Sequence, residues 1–560
     1  MEKESGLKFL ISRFVGFLKL FIRNKRAILG LAIILFFVFL SIAAPLIAPY
    51  DALGSNPEFE GYLSGKKAAP SWLKSLPPFL GGRSDLSENI EVIKNPGAPK
   101  LAPEGEWSIA IVPEDKEASI SYAFDTNVDY PYPKVPGFKF DDVPGAFGIT
   151  LQRDAGQSLG NVTVYFYKTF DYPYSGLPYG LFGNVELLVN GTVYSTDELQ
   201  SDMLHVPLKV RVFFGSSDMK LNETATLYPP KYVAGISFPP SGFAVDPLTG
   251  EASITKNFSG RAEDGFWILS RYSRDSLSSL ISVERFDMVK RLFGAMPGNY
   301  SYGIEVTFLD NAFPHEAVST TIYIDDFAFK LLGTSFGLLG TDALGRDLYS
   351  QLIYGTRISL YLGITVAVIS VTLGLIIGLA AGYMGGAIDQ FLMRFNDLML
   401  VIPGLPLLIV LVAVLGAKIE NLIILLGFLG WNGFARVVRS QVLSLKERPF
   451  VEAAKAVGAG RLHIIWRHIL PNVMSLVYVS LASSVPGAIT AEAALSWLGF
   501  YDYFRMSWGR MLHDVFVAGA TTNWWWIIPP GLCIALLATA FILLGFALDE
   551  ILNPKLRMRR

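Results

Sequence analysis

Few side chains in this sequence are arranged for chemistry. The five histidines, His205, His315, His463, His468 and His513, form no H-E-x-x-H-type pair, so no metal site is expected. His463 and His468 stand five apart, where packing or contact with a partner explains them better than a metal. The single cysteine, Cys533, lies inside an apolar run, which excludes an intrachain disulfide and a Cys-based metal site. The phosphate cradle G-x-x-x-x-G-K-[ST] is missing: the nearest string, GYLSGKK at 61–67, is too short and lacks the hydroxyl. The strings GQSLG at 156–160 and GTSFG at 333–337 have the G-x-S-x-G spacing, but no recognisable catalytic set accompanies them. No catalytic residue is therefore assigned, the chain is not expected to be an enzyme, and it needs no cofactor of its own.

Three groups of residues are better suited to contacts. The stretch 451–472, VEAAKAVGAGRLHIIWRHILPN, reads as a helix, a Gly-Ala-Gly break at Gly458 and Gly460, and a second helix that Pro471 stops. Ala453, Ala454 and Ala456 favour a slim first helix, and the glycines permit a tight reversal. Glu452 and Arg461 offer charges to a partner, and Ile464, Ile465 and Trp466 offer apolar anchors; that Glu452 and Arg461 merely solvate or cap the hairpin is the lesser alternative. In GTDALGRD, Asp342, Arg346 and Asp347 could dock a partner, while Thr341 and Asp342 could equally cap a helix and Gly345 turn the chain. Five asparagines, Asn161, Asn190, Asn222, Asn257 and Asn299, sit in N-x-[ST] sequons, making them candidate glycosylation acceptors.

The elements that must position these groups belong to a membrane protein. With 51% hydrophobic and 17% charged residues, the chain falls outside the ordinary soluble class. Residues 1–26 carry seven Lys or Arg with apolar residues at helical spacing, as in an amphipathic helix on the inner membrane surface. Residues 27–50 lack any charge and are long enough to span; a signal peptide's apolar core is shorter. Five more apolar runs follow at 358–382, 398–417, 421–435, 473–491 and 524–548. Six spans result. The basic 1–26 segment, the basic 436–467 stretch and the 549–560 tail then lie in the cytoplasm, and 51–336 lies outside. The sequons agree, because five of the eleven asparagines of that region are in sequons and none occurs elsewhere; chance clustering in a Ser/Thr-rich domain is the alternative.

The 51–336 region reads as a β-rich insert. Period-two runs at 118–124, 162–167, 185–189, 208–214, 304–308 and 320–324 alternate with turn clusters, and 275–293 has helical spacing. The strings at 130–133 and 172–174, built of Tyr and Pro, suit either loop packing or stacking on sugars or peptides. Within the spans nearly all charges stay at the ends, and Pro403, Pro406 and Pro486 are candidate kinks.

The position of 451–472 between two apolar runs argues against a DNA-binding helix-turn-helix. Glu452-Ala453-Ala454, Gly458, Leu470 and Pro471 resemble the EAA loop of permease subunits in ATP-binding-cassette (ABC) importers. APYD (48–51), LGTDALGRD (339–347), YGTRISL (354–360), AEAALSWLGF (491–500), SWGRML (507–512) and LDEILNPKLR (548–557) resemble the dipeptide/oligopeptide/nickel branch, in one fixed order. The resemblance covers the first 50 residues and nearly everything after 337, but not the insert.

It implies an α-helical type I permease fold of six transmembrane helices, with a 337–548 core and an EAA coupling loop at 447–472 docking through Glu452, Ala453, Ala454, Gly458, Arg461, Leu470 and Pro471. It also implies two cytoplasmic ATPase subunits that use ATP and magnesium, a homologous second permease, an extracytoplasmic solute-binding protein and no nucleic acid. Import of di- or oligopeptides by alternating access is the expected function; oligosaccharides or nickel are alternative cargoes. A membrane-anchored surface binding or sensing protein is the reading from a different class.

Overall fold

The computed structural model describes residues 20–53, 63–78, 82–91, 107–125, 145–194, 208–216, 225–226, 243–245, 252–254, 266–274, 296–309 and 317–552. Most of the amphipathic segment 1–26, the helical stretch 275–293, the string at 130–133, Asn222, Asn257 and residues 553–560 of the basic tail lie outside them. The chain forms two compact units, Met1–Gly54 with Asp347–Arg560, and Ser55–Arg346. The second unit thus runs past 336, because backbone bonds tie the 337–342 loop back to 65–71: Ser71 N–H to the Gly337 carbonyl, Thr341 N–H to that of Ala68, and Lys67 N–H to that of Asp342.

The helical unit begins with α1, Lys25–Ile47. Asn24 caps it, accepting from the Arg26 and Ala27 N–H groups, and its amide donates to Glu550 Oε2 at 3.1 Å. The helix stops where Ala48 precedes Pro49, since a residue before proline is driven to extended backbone.

The Ser55–Arg346 unit is built of strands: β1 Ile90–Glu91, β2 Ser108–Val112, β3 Ile120–Asp125, β4 Ala146–Arg153, β5 Asn161–Tyr172, β6 Gly180–Tyr194, β7 Leu208–Ser216, β8 Ala225–Thr226, β9 Phe243–Val245, β10 Ala252–Ile254, β11 Phe266–Arg274, β12 Gly298–Leu309 and β13 Ala317–Leu332. One sheet has the order β11-β6-β13-β4-β3 with β1 on β13, another β2-β5-β12-β7-β8, and β9 pairs with β10. The six period-two runs of the sequence fall on β3, β5, β6, β7, β12 and β13. The two larger sheets meet through aromatic rings: Phe147 of β4 stacks on Phe166 of β5 at 4.9 Å, and Trp107 stacks on Phe166 at 4.5 Å.

After Asp347 the chain is helical again: α2 Leu348–Met384, α3 Gly386–Val401, α4 Gly404–Leu415, α5 Ile419–Leu429, α6 Asn432–Lys446, α7 Pro449–Ala456, α8 Arg461–Ile464, α9 Leu470–Trp497, α10 Trp508–Val517 and α11 Trp524–Leu552. Among the described residues five helical runs, counting α5–α6 and α8–α9 as one each, are long and apolar enough to cross a membrane, and up to six if the bent pair α3–α4 is one span. That pair holds the run expected at 398–417. It is bent by 87° at Ile402 and Pro403, where the residue before proline again leaves the helix. The short run at 421–435 is the middle of a longer helix that continues to Lys446.

Glycines set how closely these helices approach. On α2, Gly374, Gly378 and Gly382 recur every fourth residue and face α6. A Cβ on Gly378 would lie 2.6 Å from Val438 Cβ and 2.7 Å from the Ala435 carbonyl oxygen, closer than real side chains come. Backbone contact along this line fixes α6, and α6 carries the loop that follows.

Candidate functional site

The 447–472 loop is built on proline, alanine and one glycine at positive φ. Pro449 opens α7 at a position where its missing N–H costs nothing. The helix ends at Val457, and Gly458 takes φ of +87°. Gly458 N–H then bonds to the Lys455 carbonyl at 3.0 Å and Ala459 N–H to that of Ala454 at 3.1 Å, the paired bonds of a Schellman ending. Since a Cβ at Gly458 would meet nothing within 4 Å, backbone conformation alone calls for glycine there. Gly460 differs from expectation: its φ is −66°, an ordinary extended N-cap that any residue adopts.

Pro471 does not stop the second helix. α8 passes through a π-helical turn, Ile465–Ile469, directly into α9, and Pro471 sits in the first turn of α9. A proline inside a continuous helix removes an N–H and crowds the carbonyl four residues earlier. The wider turn accommodates it, with Leu470 N–H bonded to the Ile465 carbonyl.

Below the loop lies an apolar bed in which Val451, Ile464 and Ile469 pack with Leu379 and Tyr383 of α2, Val438, Val442 and Leu445 of α6, and Val473 of α9. Ile464, expected as a partner anchor, is thus buried, and Ile465 packs against the same bed. The most exposed apolar side chains are Val457 (89% exposed), Leu462 (69%) and Trp466 (69%), with Phe450 less so (42%), flanked by exposed Glu452, Ala453 and Arg461. Ala454 and Leu470 lie partly within the bed, while Pro471 is exposed. His468 is in ring contact with Phe450 and His463, and no group of three potential metal ligands exists among the described residues.

The charged residues of GTDALGRD turn inward. Asp342 is buried, accepts from the N–H groups of Leu344 (2.8 Å) and Arg346 (2.9 Å), and is paired with the Arg346 guanidinium at 2.6 Å. The helix cap is Asp347, not Thr341 or Asp342: its carboxylate accepts from Ser350 N–H at 2.9 Å and Ser350 Oγ at 2.6 Å. Of the sequon asparagines, Asn161 and Asn299 are exposed, and Asn190 lies on β6. In the 172–174 string Tyr172 is buried with its hydroxyl on the Gly176 carbonyl, and Lys74 covers the Tyr174 ring at 4.5 Å, which makes the string loop packing. Burial pushes both phenol pKa values up.

One buried carboxylate went unnoticed in the sequence. Glu492, 2% exposed, lies in α9 beyond the end of the 473–491 run, so it read as a terminal charge, yet the helix continues to Trp497. Its Oε1 accepts from Ser496 Oγ at 2.8 Å and from Ser507 Oγ at 2.6 Å, while Ser507 caps α10 through Arg510 N–H. Gly509 keeps α10 close: a Cβ there would lie 2.7 Å from Ala493 Cα. The only signal in the sequence was a lone Glu in a small-residue run, A-E-A-A.

Residues 370–558 match the family described as the binding-protein-dependent transport system inner membrane component, and residues 12–70 match the N-terminal membrane domain of oligopeptide transport permease C. The chain is 40% identical over 219 residues to the dipeptide transport system permease protein DppC of Bacillus subtilis, covering 39% of this chain and 68% of that protein. It is 42% identical over 221 residues to the oligopeptide transport system permease protein OppC of Haemophilus influenzae, covering 39% of this chain and 71% of that protein. With the glutathione transport system permease protein GsiD of Pectobacterium atrosepticum the identity is 37% over 224 residues, covering 39% and 73%.

Proposed function

The chain belongs to the binding-protein-dependent transport system inner membrane components, in the dipeptide and oligopeptide permease branch of the ABC transporters, and from this premise we propose that it forms half of an alternating-access pathway importing di- or oligopeptides. In this reading six spans cross the cell membrane, α3–α4 being one broken span. Both termini and the 447–472 loop face the cytoplasm, and the strand-built unit faces outward with Asn161 and Asn299 as glycan acceptors. The charge pattern supports that orientation, because Arg436, Arg439, Lys446, Arg448, Lys455, Arg461 and Arg467 cluster on one side.

The observation that carries the proposal is the division of the 447–472 loop into a buried apolar bed and an exposed apolar crest of Val457, Leu462 and Trp466. A monomer has no use for three large apolar side chains on a tight turn flanked by charges. A cleft on a cytoplasmic ATPase would bury them, and the bed would carry the motion of that subunit to α2, α6 and α9. ATP and magnesium belong to two such partner subunits. A second homologous permease and an extracytoplasmic solute-binding protein complete the complex. Peptide cargo rests on the named cargoes of the relatives; glutathione, named for one of them, is itself a modified tripeptide.

The test replaces Gly458 with Val, which cannot adopt the positive φ without strain, and Glu452 with Lys in the assembled transporter. Loss of peptide uptake together with loss of ATPase stimulation, in protein that still inserts, is the expected result. Normal uptake in both variants would remove the loop from coupling and favour a surface-binding role.

A further inference from the structure

Helix α3 is attached to the helical unit in an unusual way. Much of its apolar surface points away from the unit, with Phe391 71% and Leu398 55% exposed; its one fully buried residue is polar, Asn396, and its ring contact with the unit is Phe395 stacked on Trp431 at 6.3 Å. Neither the bed beneath the loop nor the cluster holding Leu408 and Val412 of α4 contains an α3 residue. Beyond that ring contact, α3 is joined to α6 by a ladder of polar contacts between antiparallel helices. Arg439 donates from Nε and a terminal nitrogen to both oxygens of Asp389, at 2.6 and 2.7 Å. Arg436 meets Asp397 at 2.6 Å, and Asn396 donates to the Asn432 carbonyl at 3.0 Å. Asp389, Asn396 and Asp397 share one face of α3, as Asn432, Arg436 and Arg439 share one face of α6, by the three-to-four-residue spacing of a helix.

The ladder joins two mechanically different parts. α6 contributes Val438, Val442 and Leu445 to the bed under the loop, so α6 and the loop are packed as one block. α4 packs in a different cluster, against α5 and against other residues of α2 and α9 than those in the bed. α3 lies between, separated from α4 by the 87° break at Ile402 and Pro403. A displacement of the loop block therefore reaches α3 through the arginines, alongside the Phe395–Trp431 stack and the chain link to α2, and the break lets α3 turn without carrying α4 along. The paired, partly buried Arg439 and Asp389, at 35% and 16% side-chain exposure, are the main rung. The Arg436–Asp397 pair, at 51% and 61%, is screened and contributes less.

We propose that Arg439 and Asp389 are positioning residues that transmit the movement of the 447–472 loop to α3, making α3 a coupling arm hinged at Ile402–Pro403. This rests on the proposed coupling of the loop to an ATPase. The purified transporter, reconstituted in liposomes with its partner subunits, is labelled with spin probes at cysteines replacing Phe391 and Val414, which are both exposed, after Cys533→Ala removes the native thiol. Distances are compared without nucleotide and with ATP and vanadate, and ATPase stimulation is measured on the same samples.

The expected result is a nucleotide-dependent change of the 391–414 distance in the otherwise native chain. Arg439→Asp removes it while ATPase stimulation persists, and the swap Asp389→Arg with Arg439→Asp restores it. Tri-alanine uptake per ATP follows the distance change, falling about tenfold in Arg439→Asp, the size of an ordinary coupling energy. An unaltered distance change in Arg439→Asp, or no recovery in the swap, would overturn the proposal. A native distance that ignores nucleotide while ATPase is stimulated would also overturn it, yet leave loop coupling standing. Absence of ATPase stimulation by the native chain would instead overturn the coupling reading itself.

Discussion

The two ends of α9 are finished in opposite ways. At its N-terminal end the loop lays apolar side chains on a buried bed and leaves Val457, Leu462 and Trp466 uncovered. At its C-terminal end Glu492, Ser496, Ser507 and Gly509 close α10 against the helix, and large side chains such as Trp508 are buried completely. The first end sets an apolar crest on a tight turn; the second buries Glu492 and Trp508 internally, although Tyr503 and Phe504 beyond it stay exposed. A surface that must be handed to a partner has to keep its anchors out of its own core, whereas a corner that only holds position can spend every donor internally. Substitutions at the C-terminal end should therefore be read out as stability, and those at the N-terminal end as function.

The largest effect is expected at Trp508. Its ring is fully buried, in edge contact with Phe37 of α1 at 5.5 Å, and its Nε1–H donates to the Leu352 carbonyl at 3.0 Å. Trp508→Ala empties that volume, while the Leu352 carbonyl keeps the Thr356 hydroxyl as a donor, and a loss of about 3–5 kcal/mol is expected. Thermal unfolding of the detergent-solubilised protein checks it; a midpoint close to that of the native chain would show that the corner is not held by its core.

Glu492 sharpens the same side of the comparison. Glu492→Ala leaves two buried hydroxyls without their acceptor, for a loss of about 1–3 kcal/mol. Glu492→Gln keeps one oxygen for both hydroxyls and avoids burying a charge, so it should match or exceed the native stability. If Gln were as damaging as Ala in the same unfolding assay, the carboxylate would be acting as a charge and not as a hydrogen-bond acceptor.

Asp347 comes next. It caps α2 through Ser350, and Asp347→Ala should cost about 1 kcal/mol, recovered largely by Asp347→Ser. The same substitutions decide between a cap and a docking residue. If Asp347→Ser restored stability but uptake stayed low, the carboxylate would have a partner outside this chain.

How much of this was legible in the sequence depended on whether the pattern was local. Apolar runs located every long helix, because hydropathy is a property of each residue alone, and Gly458 announced its turn because a positive φ is a one-residue requirement. Where partners come from distant segments the reading failed. Pro471 looked like a stop, since nothing in 451–472 reveals that a π-helical turn absorbs it. Ile464 and Trp466 looked alike as anchors, and only packing against Leu379, Val438 and Val442 separates the buried one from the exposed one. Asp389 and Arg439 are fifty residues apart in sequence and read as unrelated charges until the antiparallel helices bring them together.

The smallest expected change in stability belongs to the N-terminal end, and there it is the most informative. Trp466 is 69% exposed and belongs to no buried cluster around the loop, so Trp466→Ala should alter unfolding by no more than about 0.5 kcal/mol. If its indole fills a pocket on the ATPase, the same substitution should weaken assembly by about 2 kcal/mol or more, as buried aromatic anchors at interfaces commonly do. Titrating the reconstituted permease with its ATPase, and following stimulated hydrolysis, measures that difference directly. A stable variant with weakened assembly establishes that the end of α9 bearing the crest is the end that is shared. A stable variant with native assembly would move the shared surface to Val457 and Leu462, and a destabilised one would mean that the exposed crest is part of the fold after all.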